Sequence, residues 1–363
     1  MSTEESTEQQ EHGMGPLQAE EAPRRTASSS AAASRWRLLR RFLLTSAEGS
    51  ATAAADGDGD DAQLTEISRR PAGRYNLVPL QVKNVDERDG EKHEGSSQET
   101  GLVCLDGSDV LVEYFLPMLD KRIKLTIRQR REGYLKLRDV AACGKNSIDS
   151  TGIVCLWPAE EVLTYFCARH PELFINKTVV ELGSGYGLGG LAIAACTEAA
   201  EVVITDGNPQ VVEYIKHNII ANSRAFGDTI MSGSALYWSR DQNPLAGRTF
   251  DLVVAADCTF FKDFHVDLAC TIKSLLGSPN TKSSQAILFN PRRGNTLDMF
   301  VHIAESHGLI VEMKEHYDAE VWDIHQRFLN GYQTGWRNYD GNHCYPILLS
   351  LRSSIGTQGD ITN

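Results

Sequence analysis

The sequence predicts a doubly wound α/β fold with a mostly parallel sheet of seven strands. From about residue 150 onward, short apolar runs rich in β-branched residues alternate with longer stretches of helical periodicity. Strands that are apolar throughout, with helices between them, indicate a parallel sheet covered by helices on both faces. A glycine-rich turn follows the first of these strands, at the end of the sheet where folds of this class bind ligands.

The individual elements follow from the same patterns. The predicted strands are 178–182, 201–206, a run that ends near Ala235, 250–256, 286–289, 309–313 and 345–351, with the last of them antiparallel. The predicted helices between them are 209–224, 263–276 and 296–307.

The remainder of the chain differs in composition from this region. Residues 1–75 are rich in Ser, Ala, Glu, Gly and Asp and are predicted to be disordered, because they cannot bury enough apolar surface to offset their ordering entropy. Within them, residues 35–44 form a basic amphipathic stretch, either a contact for a membrane or partner or a transient helix without a dedicated role. The further predicted units are a small β-rich element at 76–150 (strands 110–115, 122–128 and 134–137), the main domain at 151–352 and a flexible tail at 353–363.

Composition excludes several classes of protein. The net charge of −12 over 363 residues argues against a general nucleic-acid-binding protein, which normally carries a basic surplus. The eight cysteines form no Cys-x-x-Cys pair, so no metal site is predicted, and scattered thiols fit a reducing compartment. The N-terminus does not resemble a secretory signal, and no apolar run is long enough for a membrane span. We therefore expect a soluble intracellular protein.

The glycine-rich turn is the first candidate for a binding site. Gly183, Gly185 and Gly187 follow strand 178–182, and a helix is predicted to begin near Leu188. Glycines permit a tight turn and a close approach of ligand to backbone, and the helix N-terminus can bind a carboxylate or phosphate. Because Gly185-x-Gly187-x-x-Gly190 also has the spacing of a dinucleotide fingerprint, a dinucleotide and a methyl donor are both candidate ligands.

Acidic residues at three strand ends favour the methyl donor. Glu181 is expected to face the ammonium or sulfonium of S-adenosylmethionine, and Asp206 is placed to hold ribose hydroxyls. Asp257 follows a later strand on the same rim. Three acids that converge on one crevice suit a cationic ligand better than a pyrophosphate.

Two tryptophans complete the predicted cofactor site. Trp157 and Trp238 can stack on adenine, or they can simply pack helices against the sheet. The predicted cofactor-binding residues are Trp157, Glu181, Gly183, Ser184, Gly185, Gly187, Asp206, Asn208, Trp238 and Ala256.

Asp257 and Phe260 are the candidate catalytic residues. A carboxylate can hold the N–H groups of an amine acceptor, and an aromatic ring tolerates the positive charge that grows on the methylated nitrogen. The alternative is that Asp257 caps the next helix and that Phe260 and its neighbour Phe261 belong to the core.

The motifs together resemble a known family. Glu181-x-Gly-x-Gly-x-Gly187, Trp157-Pro158 and Asp257-x-x-Phe260 are similar to motifs of the family 16 seven-β-strand methyltransferases, which have a Rossmann-like sheet and many of which methylate lysine in proteins. The segments 128–134, 290–295 and 322–327 make the resemblance closer to the calmodulin-methylating members. It covers roughly residues 100–352. Phe260 stands where many members have tyrosine, so no hydroxyl-dependent role is expected for it.

The resemblance implies a specific activity. S-adenosylmethionine would be the methyl donor, one lysine of calmodulin would be trimethylated, and a monomeric enzyme would act in the cytoplasm and nucleus. Another protein or a small-molecule amine as acceptor remains an alternative, as does a cofactor-binding scaffold without turnover. Because calmodulin is acidic, we expect a basic contact surface formed by Arg128, Arg130, Arg131, Arg292 and Arg293.

Overall fold

The computed structural model describes residues 73–83, 109–118, 122–131, 151–153, 155–241, 245, 247–276, 284–332, 336 and 339–354. The basic stretch 35–44 and the predicted strand 134–137 lie outside these ranges, as do most of the segment predicted to be disordered (1–75) and most of the predicted tail (353–363). Both predictions are wrong at their ends, because Tyr75 is buried in the core and Ser353 belongs to the last strand of the main sheet.

A small antiparallel sheet comes first in the described chain and confirms the predicted β-rich element. Its strands are β1 (Leu80–Lys83), β2 (Asp109–Pro117) and β3 (Arg122–Arg130), and β2 pairs with both neighbours. The sequence predicted β2 and β3 but not β1.

The main sheet has seven strands and confirms the predicted fold class. Its strands are β4 (Thr178–Leu182), β5 (Glu201–Asp206), β6 (Ile230–Ala235), β7 (Leu252–Ala256), β8 (Gln285–Asn290), β9 (Leu309–Lys314) and β10 (Ile347–Ser353). Their order is β6-β5-β4-β7-β8-β10-β9. The five strands β6, β5, β4, β7 and β8 are parallel, and β10 is antiparallel to both β8 and β9.

Helices cover this sheet. They are α1 (Pro158–Arg169), α2 (Leu188–Cys196), α3 (Pro209–Ala221), α4 (His265–Leu276), α5 (Thr296–Ser306), α6 (Ala319–Leu329) and the short α7 (Gly341–Cys344). Helix α1 has Pro158 at its first position, where a missing N–H costs nothing because that group has no helical partner. In the described ranges, no helix has the length and apolarity that crossing a membrane requires.

Two asparagines, Asn218 of α3 and Asn222 directly after it, attach the small sheet to the main domain. The Asn218 side chain accepts a hydrogen bond from the Arg128 backbone N–H at 2.8 Å and donates one to the Arg128 carbonyl at 3.2 Å. Asn222 makes the same pair of bonds with Thr126, at 2.7 and 2.8 Å. These amides satisfy backbone groups of edge strand β3 that would otherwise remain open to another chain. Leu125 of β3 is fully buried in the core that it shares with the main sheet.

The core sits on both faces of the central strands. Every residue of β7 is buried, and β4 is buried from Val179 onward, because both strands have neighbours on each side and helices above and below. Burial of each aliphatic side chain contributes about 1.5–3 kcal/mol. The chain runs from β4 outward to β5 and β6 and then returns to β7 on the other side of β4, which opens a crevice at the carboxyl ends of these strands.

Candidate active site

A cavity of about 230 Å³ opens at the carboxyl ends of β4, β5 and β7. Most of the residues that the sequence predicted for cofactor binding line it: Trp157, Gly183, Ser184, Gly185, Asp206, Trp238 and Ala256. The predicted acceptor residues Asp257 and Phe260 line the same cavity, together with Arg293. The residues predicted to bind the cofactor and those predicted to bind the acceptor therefore line the same cavity.

The glycine-rich turn forms the floor of the cavity. Gly183, Gly185 and Gly187 all have positive φ, at 60°, 55° and 82°, in the region that favours glycine. A Cβ on Gly183 would lie 2.8 Å from the Cys258 sulfur, and one on Gly185 would lie 3.2 Å from the Gly152 carbonyl oxygen. The turn therefore needs glycine both for its conformation and for its close neighbours.

Asp206 lies at the end of β5 and is held by the turn that it faces. Its Oδ2 accepts a hydrogen bond from the Gly185 N–H at 3.1 Å, and its Oδ1 accepts one from the Asn208 N–H at 2.8 Å. Asn208 itself is not in the cavity wall. Its side chain accepts a hydrogen bond from the Gln210 N–H and caps α3. The role of Asn208 in this structure is therefore helix capping, whereas the sequence predicted a cofactor contact.

Aromatic side chains form two walls. Trp238 follows β6 and packs edge-on against Phe264, with ring centroids 6.0 Å apart. Trp157 immediately precedes α1 on the acceptor side. The cavity also contains Phe260 and Phe261, whose rings meet edge to face at 4.7 Å. Flat apolar walls of this kind suit an aromatic base and the aliphatic stem of an acceptor side chain.

Two carboxyl groups occupy the start of α2. Glu160 of α1 accepts a hydrogen bond from the Gly189 N–H at 2.7 Å, and Glu181 of β4 accepts one from the Gly190 N–H at 2.9 Å. Burial raises the pKa of Glu160 from its ordinary 4.5 to about 7. Burial and the nearby Glu160 carboxyl raise the pKa of Glu181 well above its ordinary value.

These positions correct one prediction about the cofactor. Glu181 is fully buried beneath the turn and does not line the cavity, whereas Glu160 does. The Glu181 side chain points from β4 toward α2 because the N–H groups at the start of that helix attract a carboxylate. Gly187 also lies outside the cavity wall. It is the residue before α2, and its own backbone has a left-handed conformation.

The same two carboxyls favour one of the two candidate ligands. A dinucleotide places its pyrophosphate on the N–H groups of the helix that follows the glycine turn. Here Glu160 and Glu181 already accept the hydrogen bonds of Gly189 and Gly190, so an anion at that point would meet acids. A Cβ on Gly189 would come within 2.5 Å of Glu181 Oε1 and 3.0 Å of Glu160 Oε1, which shows how closely both converge there. These two carboxyls suit a cationic ligand better than an anionic one.

An ion pair dominates the acceptor side. Asp257 has a positive φ of 58°, and its carboxylate accepts two hydrogen bonds from the Arg293 guanidinium, one of them to Oδ2 at 2.6 Å. Both side chains are only 7% exposed. Asp257 therefore pairs with a cation and does not cap the next helix, which was the alternative interpretation. Removal of one partner from a buried pair of this kind commonly costs about 3–5 kcal/mol.

Asn290 at the end of β8 holds the loop that carries Asp257. Its Oδ1 accepts hydrogen bonds from the N–H groups of Cys258 at 2.8 Å and Thr259 at 3.2 Å. His265 of α4 adds a 2.8 Å hydrogen bond between Nε2 and the Thr259 carbonyl. The side chains of Asn290 and His265 are fully buried, so the loop is anchored from two elements.

The predicted basic contact surface is not present as one surface. Arg128 pairs with Asp109, at 2.7 Å between Nη2 and Oδ2. Arg130 is 5% exposed and its Nε donates a hydrogen bond to the Tyr214 hydroxyl, so it serves the packing of the small sheet. Of the three arginines Arg128, Arg130 and Arg131, only Arg131 is exposed.

The other two arginines have separate environments. Arg292 is accessible and pairs with Asp298 at 3.0 Å and also with Glu315. Arg293 is buried and belongs to the cavity wall, not to an outer surface. The physical reason is that carboxylates of the chain itself neutralise these arginines, which adjacency in the sequence could not reveal.

Sequence reasoning missed Glu160 as a cavity residue. The signal was its place two residues after Pro158, in the first turn of a helix whose preceding tryptophan was already assigned to the site. It also missed Asn290 as an anchor for the Asp257 loop. Cys258 lines the cavity as well, but burial raises the pKa of its thiol well above the ordinary value, so it stays protonated.

Comparison with known proteins decides the family. Residues 142–306 match a family model described as lysine methyltransferase. A calmodulin-lysine N-methyltransferase of Arabidopsis thaliana is 44% identical over 328 residues, which covers 90% of this chain and 99% of that protein. The chain belongs to the lysine methyltransferase family.

More distant similarities were also found. The protein-lysine N-methyltransferase EEF2KMT of Homo sapiens is 24% identical over 187 residues, which cover 48% of this chain and 56% of that protein. Among solved structures, a ribosomal protein L11 methylase from Lactobacillus delbrueckii subsp. bulgaricus is 15% identical, with a TM-score of 0.36 over 54% of this chain and 79% of that chain.

Proposed function

We propose that this chain transfers methyl groups from S-adenosylmethionine to a lysine side chain of calmodulin. The observation that carries the proposal is the single cavity lined by the glycine turn and Asp206 at one end and by Asp257 and Phe260 at the other. The 44% identity to the Arabidopsis thaliana calmodulin-lysine N-methyltransferase, over nearly its whole length, supports calmodulin as the acceptor.

The donor side fits S-adenosylmethionine chemically. Asp206 offers carboxylate oxygens for ribose hydroxyls, and Trp238 offers a ring face for adenine. Trp157, which the sequence predicted for the same role, lies on the acceptor side beside Arg293. Glu160 gives the wall an acid for a cationic ligand, and Gly183 and Gly185 allow the close approach. When bound, S-adenosylmethionine supplies an electrophilic methyl group on a positively charged sulfur.

The acceptor side orients and desolvates the amine. An oxygen of the Asp257 carboxylate can accept an N–H of the lysine, and the Phe260 ring can line the path of its stem. The aromatic face tolerates the positive charge that develops on nitrogen during transfer, through cation–π attraction. Exclusion of water and correct alignment, rather than acid–base chemistry on the methyl group, are what such a site contributes.

The remaining parts of the proposal concern the partner and the compartment. The proposal includes trimethylation of one calmodulin lysine by a monomeric enzyme in the cytoplasm and nucleus. Cys167 and Cys258, which form no disulfide within the described ranges, support a reducing compartment. Arg131, which is exposed, and Arg292, which is partly exposed, are the predicted arginines that can still meet an acidic partner.

The acceptor can be found without presupposing it. The purified protein is incubated with labelled S-adenosylmethionine and a cell extract, and labelled proteins are identified by mass spectrometry. Label on a calmodulin lysine is the expected result. Label on another protein or on a small amine would overturn calmodulin as acceptor, and no label at all would favour a cofactor-binding scaffold.

A further inference from the structure

We propose that Arg293 is a positioning residue for methyl transfer, which neutralises Asp257 so that the acceptor lysine binds as an uncharged amine. The inference rests on the proposed function, since it concerns the acceptor of that reaction. It assigns Arg293 a role inside the site in place of the outer contact surface that the sequence predicted.

The geometry places the guanidinium at the centre of the acceptor wall. Arg293 donates both terminal nitrogens to the two Asp257 oxygens. Its guanidinium carbon lies 4.9 Å from the centroid of the Phe260 ring and 5.8 Å from that of Trp157. Asp257, Phe260, Trp157 and Arg293 all line the cavity.

The arginine is held in place by its own backbone. The Arg293 N–H donates a 2.8 Å hydrogen bond to the Asn342 carbonyl, and the Gly294 N–H donates one to the Asn342 side chain at 2.6 Å. Its φ of 43° lies in the left-handed region, a conformation that a surrounding structure must impose on arginine. Because Asn290 anchors the Asp257 loop from the other side, the pair is fixed at both ends. This argues against a guanidinium that leaves when substrate arrives.

The chemistry of the acceptor explains why such a pair is useful. A lysine ammonium, with an ordinary pKa of about 10.4, has no lone pair with which to attack a methyl group. An unpaired buried carboxylate would stabilise the ammonium and raise that pKa. A carboxylate already paired with arginine carries little net charge, so burial and the cationic donor both favour the neutral amine.

The transfer then balances without a further base. The ammonium releases its proton to solvent as it enters the cavity. The nitrogen lone pair forms a bond to the methyl carbon, the carbon–sulfur bond breaks, and its electron pair stays on sulfur. The positive charge passes to the nitrogen, beside the Phe260 ring. Asp257 contributes by accepting an N–H of the neutral amine and aiming its lone pair.

Other titratable groups surround this pair and must be kept constant in a test. Those that line or adjoin the cavity are Cys155 before α1, Glu160 of α1, Tyr186 of the glycine-rich turn, Asp206 at the end of β5, Tyr237 after β6, Cys258 beside Asp257, Asp267 of α4 and Cys344 of α7. Among the described residues of the wall, Arg293 is the basic one. Glu160 titrates near neutral pH, but it does so in every variant compared, so its contribution cancels.

The test compares Arg293→Met, Arg293→Lys and the matched control Arg292→Met. Arg292 is the adjacent arginine and pairs with Asp298 and Glu315. For each protein, kcat at saturating calmodulin and S-adenosylmethionine is measured from pH 6.5 to pH 10, because kcat depends on the pKa of the lysine in the bound complex. In Arg293→Met, the acidic limb of kcat should move up by about one pH unit, with roughly tenfold lower kcat near pH 7.5 and recovery at high pH. Arg293→Lys and Arg292→Met should keep the limb of the parent protein.

A second readout does not depend on turnover. Calorimetric binding of calmodulin without methyl donor, in two buffers of different ionisation enthalpy, counts the protons released. The parent protein, Arg293→Lys and Arg292→Met should release more protons than Arg293→Met, because only the last would bind the lysine as an ammonium.

Several results would overturn the inference. One is an Arg293→Met profile identical to that of the parent protein, and another is a loss of equal size at every pH, which indicates a merely structural role. If Arg293→Met does not fold, an acidic limb shifted to higher pH in Arg293→Lys would overturn the inference. A parent protein that does not methylate calmodulin at all would instead overturn the proposed function, and with it this role.

Discussion

Glu160 and Glu181 accept hydrogen bonds from consecutive backbone N–H groups at the start of α2, those of Gly189 at 2.7 Å and Gly190 at 2.9 Å. The chain thus fills with its own carboxyls the position that a phosphate takes in dinucleotide-binding folds. The favourable end of the helix dipole offsets part of the cost of burying two acids. What remains of that cost appears in their raised pKa values and leads to two predictions.

The first prediction concerns stability and pH. Both acids have raised pKa values in the folded protein, so above pH 4.5 the folded state holds more protons than the unfolded state. The contribution of Glu160 to stability therefore falls as pH rises from 4.5 through about 7, and that of Glu181 changes in the same direction above pH 4.5. Glu181→Gln keeps an acceptor for Gly190 and removes one charge, so its melting temperature should exceed that of the parent protein by roughly 2–4 °C at pH 8 and by less at pH 6.

Thermal denaturation at the two pH values checks this, with exposed Glu172→Gln as the control. A melting temperature that is lower for Glu181→Gln at pH 8 would show that the ionised pair stabilises the fold.

The second prediction concerns cofactor affinity. Glu160 lines the cavity, and at pH 8 its carboxyl is largely ionised since its pKa is about 7. Glu160→Gln should weaken binding of S-adenosylmethionine about tenfold at pH 8, equivalent to about 1.4 kcal/mol, and less at pH 6. Calorimetric titration measures the Kd. Equal affinity in both proteins at pH 8 would show that this acid does not meet the cation.

The third prediction separates crowding from backbone strain at the glycine turn. Gly183→Ala places a Cβ 2.8 Å from the Cys258 sulfur at a φ of 60°. Gly227 has nearly the same φ, 56°, with nothing within 4 Å of an added Cβ. Gly227→Ala should therefore cost about 1 kcal/mol from strain alone, whereas Gly183→Ala should cost about 2–4 kcal/mol and also abolish cofactor binding. Urea unfolding of both variants gives the comparison, and equal costs would mean that the turn relaxes freely.

The fourth prediction tests the anchor of the Asp257 loop. Asn290→Ala leaves the N–H groups of Cys258 and Thr259 without their side-chain acceptor, at a cost of about 1–3 kcal/mol. We expect kcat to fall about 10- to 100-fold with little change in the Kd for S-adenosylmethionine, because misplacement of a positioned group affects the chemical step. Exposed Asn330→Ala is the control. An unchanged kcat in a folded Asn290→Ala protein would remove Asn290 from the catalytic framework.

Much of the fold could be predicted because apolar periodicity records burial directly. The strand 178–182 matched its observed bounds, and the antiparallel last strand was confirmed. Ends were less certain where tertiary contacts intervene. The helix predicted to reach residue 224 ends at Ala221, and Asn222 uses its side chain to bind the backbone of β3.

The site was predictable only in part, for the same reason. Asp206 and Asp257 follow from their places at strand ends, which topology brings together. The direction of a side chain depends on partners distant in sequence, and this is why Glu181 was expected in the cavity where Glu160 stands. Arg293 was expected on an outer contact surface. Its ion pair with Asp257 joins two loops that are distant in the sequence, so the sequence could not reveal it.

The most direct measurement is the intact mass of purified calmodulin after incubation with this protein and S-adenosylmethionine, beside the Asp257→Ala variant. We expect a mass gain of up to three methyl groups on one lysine with the parent protein. We expect no gain with Asp257→Ala, although that variant should still bind S-adenosylmethionine. Unmodified calmodulin with the parent protein, or full methylation by Asp257→Ala, would contradict the proposed methyl transfer to a lysine held by Asp257.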